Sequence, residues 1–345
     1  MIRIGKSNSN QNSIMTVVVL SLLLLSCGSS KRTSGNESTN ESTRQTVETI
    51  EVPTFDADSA YRYTKAQCDF GPRVPNSQAH KACANYLANK LRSFGAQVTE
   101  QAADLIAYDG KILHCVNIIG SFKPESKKRM ALFSHWDSRP FADHDPDIVN
   151  RHTPIDGAND GASGVGMLLE IARQIQQKSP TMGVDIIFFD AEDYGAPDYY
   201  NGEKKEEYWC LGSQYWASRP HVSEYMARYG ILLDMVGGKD ATFCYESYSM
   251  QYAPKLTKKI WSVAKEIGYG QYFIAKEGGF VTDDHVFVNQ LMNLPTTDII
   301  PYEEKNKHSS FGSTWHTLDD NMSAISLETL KAVGQTVITV LYREQ

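Results

Sequence analysis

Residues 131–193 constrain the fold more than any other part of the sequence. Two short apolar runs, 131–134 and 184–189, flank a Gly-rich loop and an amphipathic segment that begins near Ala162. Short apolar runs separated by a helix at this spacing predict two parallel strands joined by a helical crossover. Ligands of such sheets bind at the carboxyl ends of the strands. We therefore expect a functional site just after these two runs.

Acidic and imidazole side chains follow both runs or lie on the loop between them. They are His135, Asp137, Asp160, Glu192 and Asp193. Carboxylate oxygens and imidazole nitrogens are the ligands that zinc and other divalent cations take from proteins. The sequence therefore predicts that these side chains converge on a metal ion.

The rest of the sequence predicts one α/β domain over residues 55–345. At 345 residues, of which 41% are hydrophobic and 22% charged, the chain can bury a sizeable core. Predicted helices span about 58–69, 78–94 (with Ser77 as N-cap), 252–267 and 326–343. Predicted strands span 97–107 and 112–119, which form a hairpin, and 231–235 and 296–300. We find no internal repeat and no linker that would separate a second domain.

The first residues carry an export signal rather than part of the fold. Arg3 and Lys6 precede an apolar stretch over residues 15–25, which is too short to span a bilayer. The Leu-Leu-Ser-Cys ending at Cys27 resembles a bacterial lipobox, so residues 1–26 are predicted to be a lipoprotein signal peptide. The alternative is an ordinary signal peptide followed by a chance cysteine.

Residues 27–54 are rich in Ser, Thr, Asn and Glu and contain few large apolar side chains. Such a segment cannot bury enough surface to offset its ordering entropy, so it predicts a flexible tether. Several acyl chains on Cys27 would hold the protein stably at a membrane surface. The expected location is therefore the periplasmic side of the inner or outer bacterial membrane.

Charge and cysteine usage exclude two other classes of site. The formal net charge of −7 gives no reason to expect nucleic acid as a partner. Five cysteines follow Cys27, and none has the CxxC spacing of a cysteine zinc site or a thioredoxin-like motif. Their odd number leaves at least one thiol free, and we expect most of them to be small buried hydrophobic side chains.

Four candidate site residues have both a structural and a functional interpretation. Glu192 and Asp193 follow a strand, where a turn can bring both carboxylates into one cleft, although such acids are often helix N-caps or solvated. Asp160 precedes a predicted helix and has the same N-cap alternative. His316 makes an Asp/Asp/His set with Asp160 and Asp193, which is the protein part of a catalytic zinc site.

Six motifs, taken in order, resemble those of the glutaminyl cyclases. They are HWDS (135–138), GANDGASG (157–164), FFDAED (188–193), LLDMVG (232–237), TDDH (282–285) and STWHTLDDN (313–321). These zinc enzymes convert N-terminal glutamine to pyroglutamate and are related in fold to the co-catalytic zinc aminopeptidases. The resemblance implies a three-layer α/β fold with a mixed, largely parallel central sheet flanked by helices.

The resemblance also implies which residues bind the metal ion. It implies one zinc ion per chain, bound by Asp160, Asp193 and His316. It assigns Glu192 as the carboxylate that moves the proton. Animal cyclases have Glu-Glu where this chain has Glu192-Asp193, and the shorter Asp193 can still bind zinc.

Further residues match the substrate pocket and an acidic network around it. Asp234 and Asp283 match acids that hydrogen-bond with the proton-shuttling carboxylate. Trp315 and Phe311 match aromatic walls of the pocket, and Trp209 is a candidate for another wall. The implied partners are peptides or proteins with N-terminal glutamine, and the sequence does not indicate an oligomeric state.

Two other functions remain as alternatives. One is a two-zinc aminopeptidase of the same fold, in which His135, from the His-x-Asp pair with Asp137, and Asp234 bind a second zinc. Glu192 would then activate water. The other is a lipoprotein that has the same fold but no catalytic activity and only binds a ligand.

Overall fold

A mixed six-stranded sheet runs through the computed structural model, which describes residues 51–344. The strands are β1 (Gln97–Ile106), β2 (Ile112–Phe122), β3 (Arg129–His135), β4 (Gly183–Phe189), β5 (Gly230–Leu233), β6 (Phe243–Tyr245), β7 (Phe273–Glu277) and β8 (Thr296–Ile299). The sheet order is β1-β2-β4-β3-β5-β8, while β6 and β7 pair separately. Strands β4, β3, β5 and β8 are parallel, and the β1–β2 hairpin adds antiparallel to β4.

Within residues 51–344, eight α-helices accompany the sheet. They are α1 (Ala57–Cys68), α2 (Gln78–Ser93), α3 (Ala162–Gln177), α4 (Leu211–Ser218), α5 (Ser247–Tyr252), α6 (Pro254–Glu266), α7 (Asp284–Met292) and α8 (Leu327–Arg343). Short 3-10 turns span Ile148–His152, Glu206–Tyr208 and Met322–Ala324. None of the helices between residues 51 and 344 combines the length and the hydropathy that a membrane span requires.

The helices pack on both faces of the sheet. Leu132 of β3 lies in one core with helices α1, α2, α3, α6 and α8. The next residue, Phe133, lies in a second core with Trp216 of α4 and Val288 of α7. Successive strand residues point to opposite faces, so both faces of β3 are buried. This arrangement confirms the predicted three-layer α/β class.

The predicted elements are confirmed wherever the hydrophobic period is clear. Ser77 caps α2, since its side chain accepts a hydrogen bond from the N–H of His80. The hairpin and the crossover helix between β3 and β4 also form as predicted. The helix predicted over 252–267 begins only at Pro254, because α5 ends at Tyr252 and proline starts a new helix.

The predicted signal peptide, Cys27 and the tether up to residue 50 lie outside the described residues. Residues 49–345 form one compact unit. At its beginning, Glu51 forms an ion pair with Lys178, and the Pro53 carbonyl accepts a hydrogen bond from Gln335.

Candidate active site

The carboxyl ends of the parallel strands border a single pocket. Its lining includes nine of the predicted site residues: Asp160, Glu192, Asp193, Trp209, Asp234, Asp283, Phe311, Trp315 and His316. The two others, His135 and Asp137, are buried next to this pocket at the end of β3. The structure therefore brings together all of the predicted residues within the described chain, while their chemical roles stay predictions.

Asp160, Asp193 and His316 form a group that fits a zinc ion. One ligand atom from each lies within 4.8 Å of the other two. Nε2 of His316 is 3.3 Å from Oδ1 of Asp193 and 3.8 Å from Oδ2 of Asp160. Oδ2 of Asp193 is buried and accepts no hydrogen bond from any described residue. Two carboxylates and one imidazole are a donor set that zinc takes in catalytic sites.

Asp160 does not cap the helix that follows it. Helix α3 begins at Ala162 with Gly161 at the N-cap position and without a side-chain cap bond. The Asp160 loop is instead fixed by Asp320, whose two oxygens accept hydrogen bonds from the N–H groups of Asn159 (2.7 Å) and Asp160 (3.1 Å). The N-cap interpretation of Asp160 is therefore wrong, and its carboxylate is free to face the pocket.

A left-handed turn after β4 turns Glu192 and Asp193 into the pocket. Ala191 has φ of +52°, a conformation that is rare for residues other than glycine. The Asp137 carboxylate accepts hydrogen bonds from the N–H groups of Glu192 (3.1 Å) and Asp193 (3.2 Å). No helix begins at these acids, so their N-cap interpretation is also wrong. Asp137 follows β3 by two residues and supports the turn after the neighbouring strand β4.

Burial controls the proton affinity of the acids around Glu192. It raises the pKa of Glu192 well above the ordinary value, against the opposing charge of His135. Burial also raises the pKa of Asp234 to about 7 and raises that of Asp283. A carboxyl group with such a raised pKa can hold and release a proton near neutral pH, as general acid–base catalysis requires.

Arg139 and Asp143 support the metal group and were not found from the sequence. Arg139 is fully buried and donates two hydrogen bonds of 2.7 Å to Asp143. It also contacts Asp193, donating to its carbonyl at 3.0 Å. Asp143 in turn lies 3.4 Å from Nδ1 of His316, which leaves Nε2 pointing at the two ligand carboxylates. Such carboxylate–histidine contacts orient metal ligands.

Arg139 and His316 keep the Asp143 carboxylate ionised. Burial alone would raise its pKa, but hydrogen bonds from Arg139 and His316 hold the pKa well below the ordinary value. The carboxylate therefore stays ionised. The only sequence signal for this pair is its position just after the HWDS motif, because its function depends on a loop that folds back onto His316.

Aromatic side chains wall the pocket above the ligand group. The Trp315 ring stacks on the His316 ring with 3.7 Å between centroids, and Phe311 packs against Trp315 at 5.1 Å. Trp209 lies parallel to the His316 ring at 6.2 Å and over the Arg139 guanidinium. All three predicted aromatic residues therefore line the pocket.

Cys210 contacts Glu192 directly, and the sequence did not indicate this. Its Sγ lies 3.2 Å from Oε1 of Glu192, and its N–H donates to the Glu192 carbonyl at 2.9 Å. Cys210 is fully buried in a left-handed conformation at the start of α4. All five described cysteines are free, whereas the sequence required only one free thiol. Four of them are buried, as predicted for most, and Cys68 is half-buried.

A second group of ligand atoms lies beside the first. Nε2 of His135 is 3.0 Å from Oδ1 of Asp160 and 3.2 Å from Oδ1 of Asp234, and these residues also meet the spacing of a metal site. Burial disfavours charge on His135, but its contacts with Asp137, Asp160 and Asp234 raise its pKa well above the ordinary value. The geometry of the side chains therefore fits either a protonated His135 or a second metal ligand.

Comparison with known proteins agrees with the resemblance of the six motifs. The profile of peptidase family M28 matches residues 117–341. The structure of Bacteroides thetaiotaomicron glutaminyl cyclase bound to N-acetylhistamine has 61% identity and a TM-score of 0.84, over 86% of this chain and 100% of that chain. A Zn-dependent exopeptidase from Parabacteroides distasonis has 57% identity and a TM-score of 0.84, over 85% and 100%. The glutaminyl-peptide cyclotransferase of Drosophila melanogaster is 28% identical over 283 residues, covering 75% of this chain and 73% of that protein. The zinc-exopeptidase-like fold is thereby confirmed.

Proposed function

The chain belongs to peptidase family M28, and from this membership we propose that it is a zinc-dependent glutaminyl cyclase. It converts the N-terminal glutamine of peptides and proteins to pyroglutamate and releases ammonia. The observation that carries this proposal is the position of Glu192, a buried carboxylate beside the Asp160/Asp193/His316 group and beneath three aromatic walls. The 61% identical glutaminyl cyclase supports it independently.

We propose one zinc ion per chain, held by Asp160, Asp193 and His316. The buried and unpartnered Oδ2 of Asp193 supports this choice, since it has no other described partner. When bound, zinc supplies Lewis-acid polarisation of the γ-carbonyl oxygen of the substrate. Arg139 and Asp143 keep the ligand side chains oriented.

Glu192 moves the proton during ring closure. The α-amino nitrogen of the substrate forms a bond to its own γ-amide carbon, and the bond from that carbon to the amide nitrogen breaks. Glu192 takes a proton from the attacking amine and returns it to the leaving nitrogen, which departs as ammonia. One carboxyl group can do both because burial raises its pKa, so the carboxylate binds the amine proton more readily than an ordinary carboxylate does.

The aromatic walls position the substrate and exclude water. Ring closure is intramolecular, so holding amine and amide in near-attack geometry supplies much of the acceleration. Water in place of the amine would give glutamate instead of pyroglutamate. Trp209, Phe311 and Trp315 reduce that side reaction because their rings occupy space in the pocket that water would otherwise fill.

The test is incubation of the purified, zinc-loaded chain with a Gln-initiated and a Leu-initiated peptide, followed by mass spectrometry. Loss of one ammonia from the first peptide, with its length retained, is the expected result. Release of the first residue from either peptide would instead identify a two-zinc aminopeptidase. No change in either peptide would identify a binding protein without activity.

We further propose that the protein is an exported bacterial lipoprotein, attached through Cys27 to the periplasmic side of a membrane. The charged start, the apolar stretch over 15–25 and the Leu-Leu-Ser-Cys ending support this location. In that location the enzyme would act on exported peptides and proteins.

A further inference from the structure

The surface opposite the pocket is basic, although the chain as a whole is acidic. We define the basic face by six exposed cations at the amino ends of the parallel strands: Lys127, Lys128, Lys178, Arg228, Lys255 and Lys259. The chain carries a formal net charge of −7, so this concentration of positive charge is a local departure. A positive surface on an otherwise acidic protein affects its binding to charged partners and does not determine its fold.

Backbone contacts join these cations into one surface. The N–H of Gly183, at the start of β4, donates to the Lys128 carbonyl at 2.9 Å. The N–H of Arg228 donates to the Arg129 carbonyl at 2.8 Å, just before β5. Arg228, Lys255 and Lys259 then line one shallow groove. The basic face therefore extends across the amino ends of β3, β4 and β5.

Acidic side chains on this surface only partly neutralise it. Buried Glu344 forms ion pairs with both Arg228 (3.0 Å) and Lys259. Glu51 pairs with Lys178 at 2.5 Å, and Glu125 and Glu224 are exposed nearby. No ion pair within the described part of the chain involves Lys127, Lys128 or Lys255. A positive excess remains for an external partner.

The chain enters the described structure at the same surface. Lys178 directly follows the carboxyl end of α3, whereas Asp160 in the pocket directly precedes its first turn. The 16 residues of α3 separate the two by about 24 Å. Glu51, which contacts Lys178, therefore lies on the opposite side of the molecule from the pocket.

Residues 27–50 connect Glu51 to the proposed lipid on Cys27. A lipid on Cys27 would keep the domain close to the bilayer, so its effective concentration there would be high. A modest electrostatic attraction is then enough to select which surface faces the lipid.

We propose that the basic face docks on the anionic phospholipid headgroups of the membrane that carries the anchor. Each Lys or Arg near an anionic surface strengthens binding by about fivefold, and the attraction falls off within a Debye length. Docking in this orientation directs the pocket away from the bilayer, toward soluble or emerging polypeptides. It requires no contribution from the active-site residues and is independent of the proposed cyclase activity, but it rests on the proposed lipid anchor at Cys27.

The test uses the chain from Glu51 to Gln345 without a lipid anchor. The solved Bacteroides relative corresponds over its whole length to 86% of this chain, which supports independent folding of this part. Its binding is measured by sedimentation with phosphatidylcholine vesicles and with phosphatidylcholine–phosphatidylglycerol vesicles, each at low and high salt. We expect at least about tenfold tighter binding to the anionic vesicles at low salt, and loss of that preference at high salt.

A pair of matched variants locates the binding surface. Lys127→Glu/Lys128→Glu/Lys255→Glu should weaken binding to anionic vesicles by at least about tenfold. The second variant, Lys204→Glu/Lys305→Glu/Lys307→Glu, makes the same change in net charge on exposed loops of the pocket side. It should bind anionic vesicles about tenfold more tightly than the first variant. Circular dichroism and thermal unfolding confirm that both variants are folded.

Three results would overturn the proposal. Equal binding of the unmodified chain to neutral and anionic vesicles, including no binding to either, removes the headgroup as partner. Equal losses in the two triple variants mean that the basic face is not the contact surface. Tighter binding to duplex DNA than to anionic vesicles points to a different polyanion.

Discussion

Glu192 is the residue whose substitution tests the proposed chemistry most directly. Glu192→Gln keeps the shape and volume of the side chain but cannot accept the amine proton. General acid–base catalysis contributes about 10²–10⁴-fold, and only Asp234 and Asp283 could act as alternative bases. We expect kcat to fall by at least about 10²-fold, with zinc retained and KM little changed. Turnover of a Gln-initiated peptide and zinc content are measured on the same sample.

Asp193→Ala is the control for that measurement, because it should lose activity through loss of zinc. If zinc-loaded Glu192→Gln turns over peptide nearly as fast as the wild type, Glu192 is a structural carboxylate only. Loss of zinc from Glu192→Gln would instead make it a metal ligand.

His316 tests the number of metal ions. With Asp160, Asp193 and His316 as the only ligands, dialysed active protein should retain one zinc per chain by elemental analysis. His316→Ala leaves two protein ligands, so both zinc and activity should be lost. Two zinc ions per chain, both needed for turnover, would contradict the single-metal site and make His135 a ligand.

Cys210 is expected to position Glu192 through its thiol. A thiol is a weak hydrogen-bond donor, so its removal should cost less than removal of Glu192 itself. We expect Cys210→Ala to lower kcat by about 3–10-fold, the loss of a net hydrogen bond of about 1 kcal/mol, with KM and zinc unchanged. Cys210→Ser should restore most of kcat, because the hydroxyl can donate to the same oxygen.

The matched control is Cys83, a fully buried thiol on the core-facing side of α2. Cys83→Ala should lower stability without changing kcat. If Cys210→Ala has the same kcat as the wild type, the contact between Sγ and Glu192 contributes only to packing and not to catalysis.

The resemblance to the glutaminyl cyclases identified nine of the residues that line the pocket. Five other lining residues were not predicted: Glu206, Met235, Val281, Thr282 and Ile300. Asp160, Asp193 and His316 were recognisable because each follows a strand or lies in a motif with Gly or Trp neighbours. Arg139 and Asp143 were not recognisable, because their contacts with Asp193 and His316 exist only after the loop following β3 folds back. The contact of Cys210 likewise depends on the left-handed turn that begins α4.

At the scale of elements, the close packing of α1 on α3 depends on Gly166. A Cβ at that position would lie 2.8 Å from the Ala60 carbonyl oxygen and 2.3 Å from Oγ1 of Thr64. Alanine in a helix is otherwise about 0.5–1 kcal/mol more favourable than glycine. The Ala60 carbonyl belongs to the backbone and cannot shift without moving α1. We therefore expect the steric clash to outweigh the higher helix propensity of alanine, so that Gly166→Ala lowers the free energy of unfolding by about 1–3 kcal/mol.

Urea unfolding followed by circular dichroism measures this change. Gly270→Ala is the control, since its Cβ would meet its nearest neighbour at 3.5 Å, an ordinary contact. It should alter the free energy of unfolding by less than about 0.5 kcal/mol. An equally stable Gly166→Ala would mean that α1 can shift away from α3 without loss of packing.

Long elements with a clear hydrophobic period were predicted, as were the four-residue apolar strands β5 and β8, whereas several other short elements were not. Helices α2, α3 and α8 each extend for 16 or 17 residues with a continuous apolar face. By contrast, β6 and β7 have three and five residues, and α4 and α7 have eight and nine. Over so few residues the spacing of apolar side chains cannot distinguish a strand from a helix, and tertiary packing determines the conformation.

At the scale of the whole molecule, the fold separates two functions along α3. Its first turn follows Asp160 in the pocket, and its last turn leads to Lys178 on the basic face. The topology could be predicted from the two strands and their crossover, but the basic face could not. Its cations come from loops and from helix α6, far apart in sequence, and only the shared direction of the parallel strands brings them to one surface.

The anchor at Cys27 is the prediction on which the location of the whole molecule depends. Cys27→Ser removes the thiol that lipid attachment requires, so the variant should carry no acyl label and should move to the soluble fraction or remain unprocessed. The measurement is incorporation of labelled fatty acid in a bacterial host, with fractionation of the membranes. Cys68→Ser is the control, because Cys68 is also partly accessible but lies outside the Leu-Leu-Ser-Cys sequence, and it should keep the label. A wild-type chain without label would show that an ordinary signal peptide precedes residue 27, and the tether would then hold nothing at the membrane.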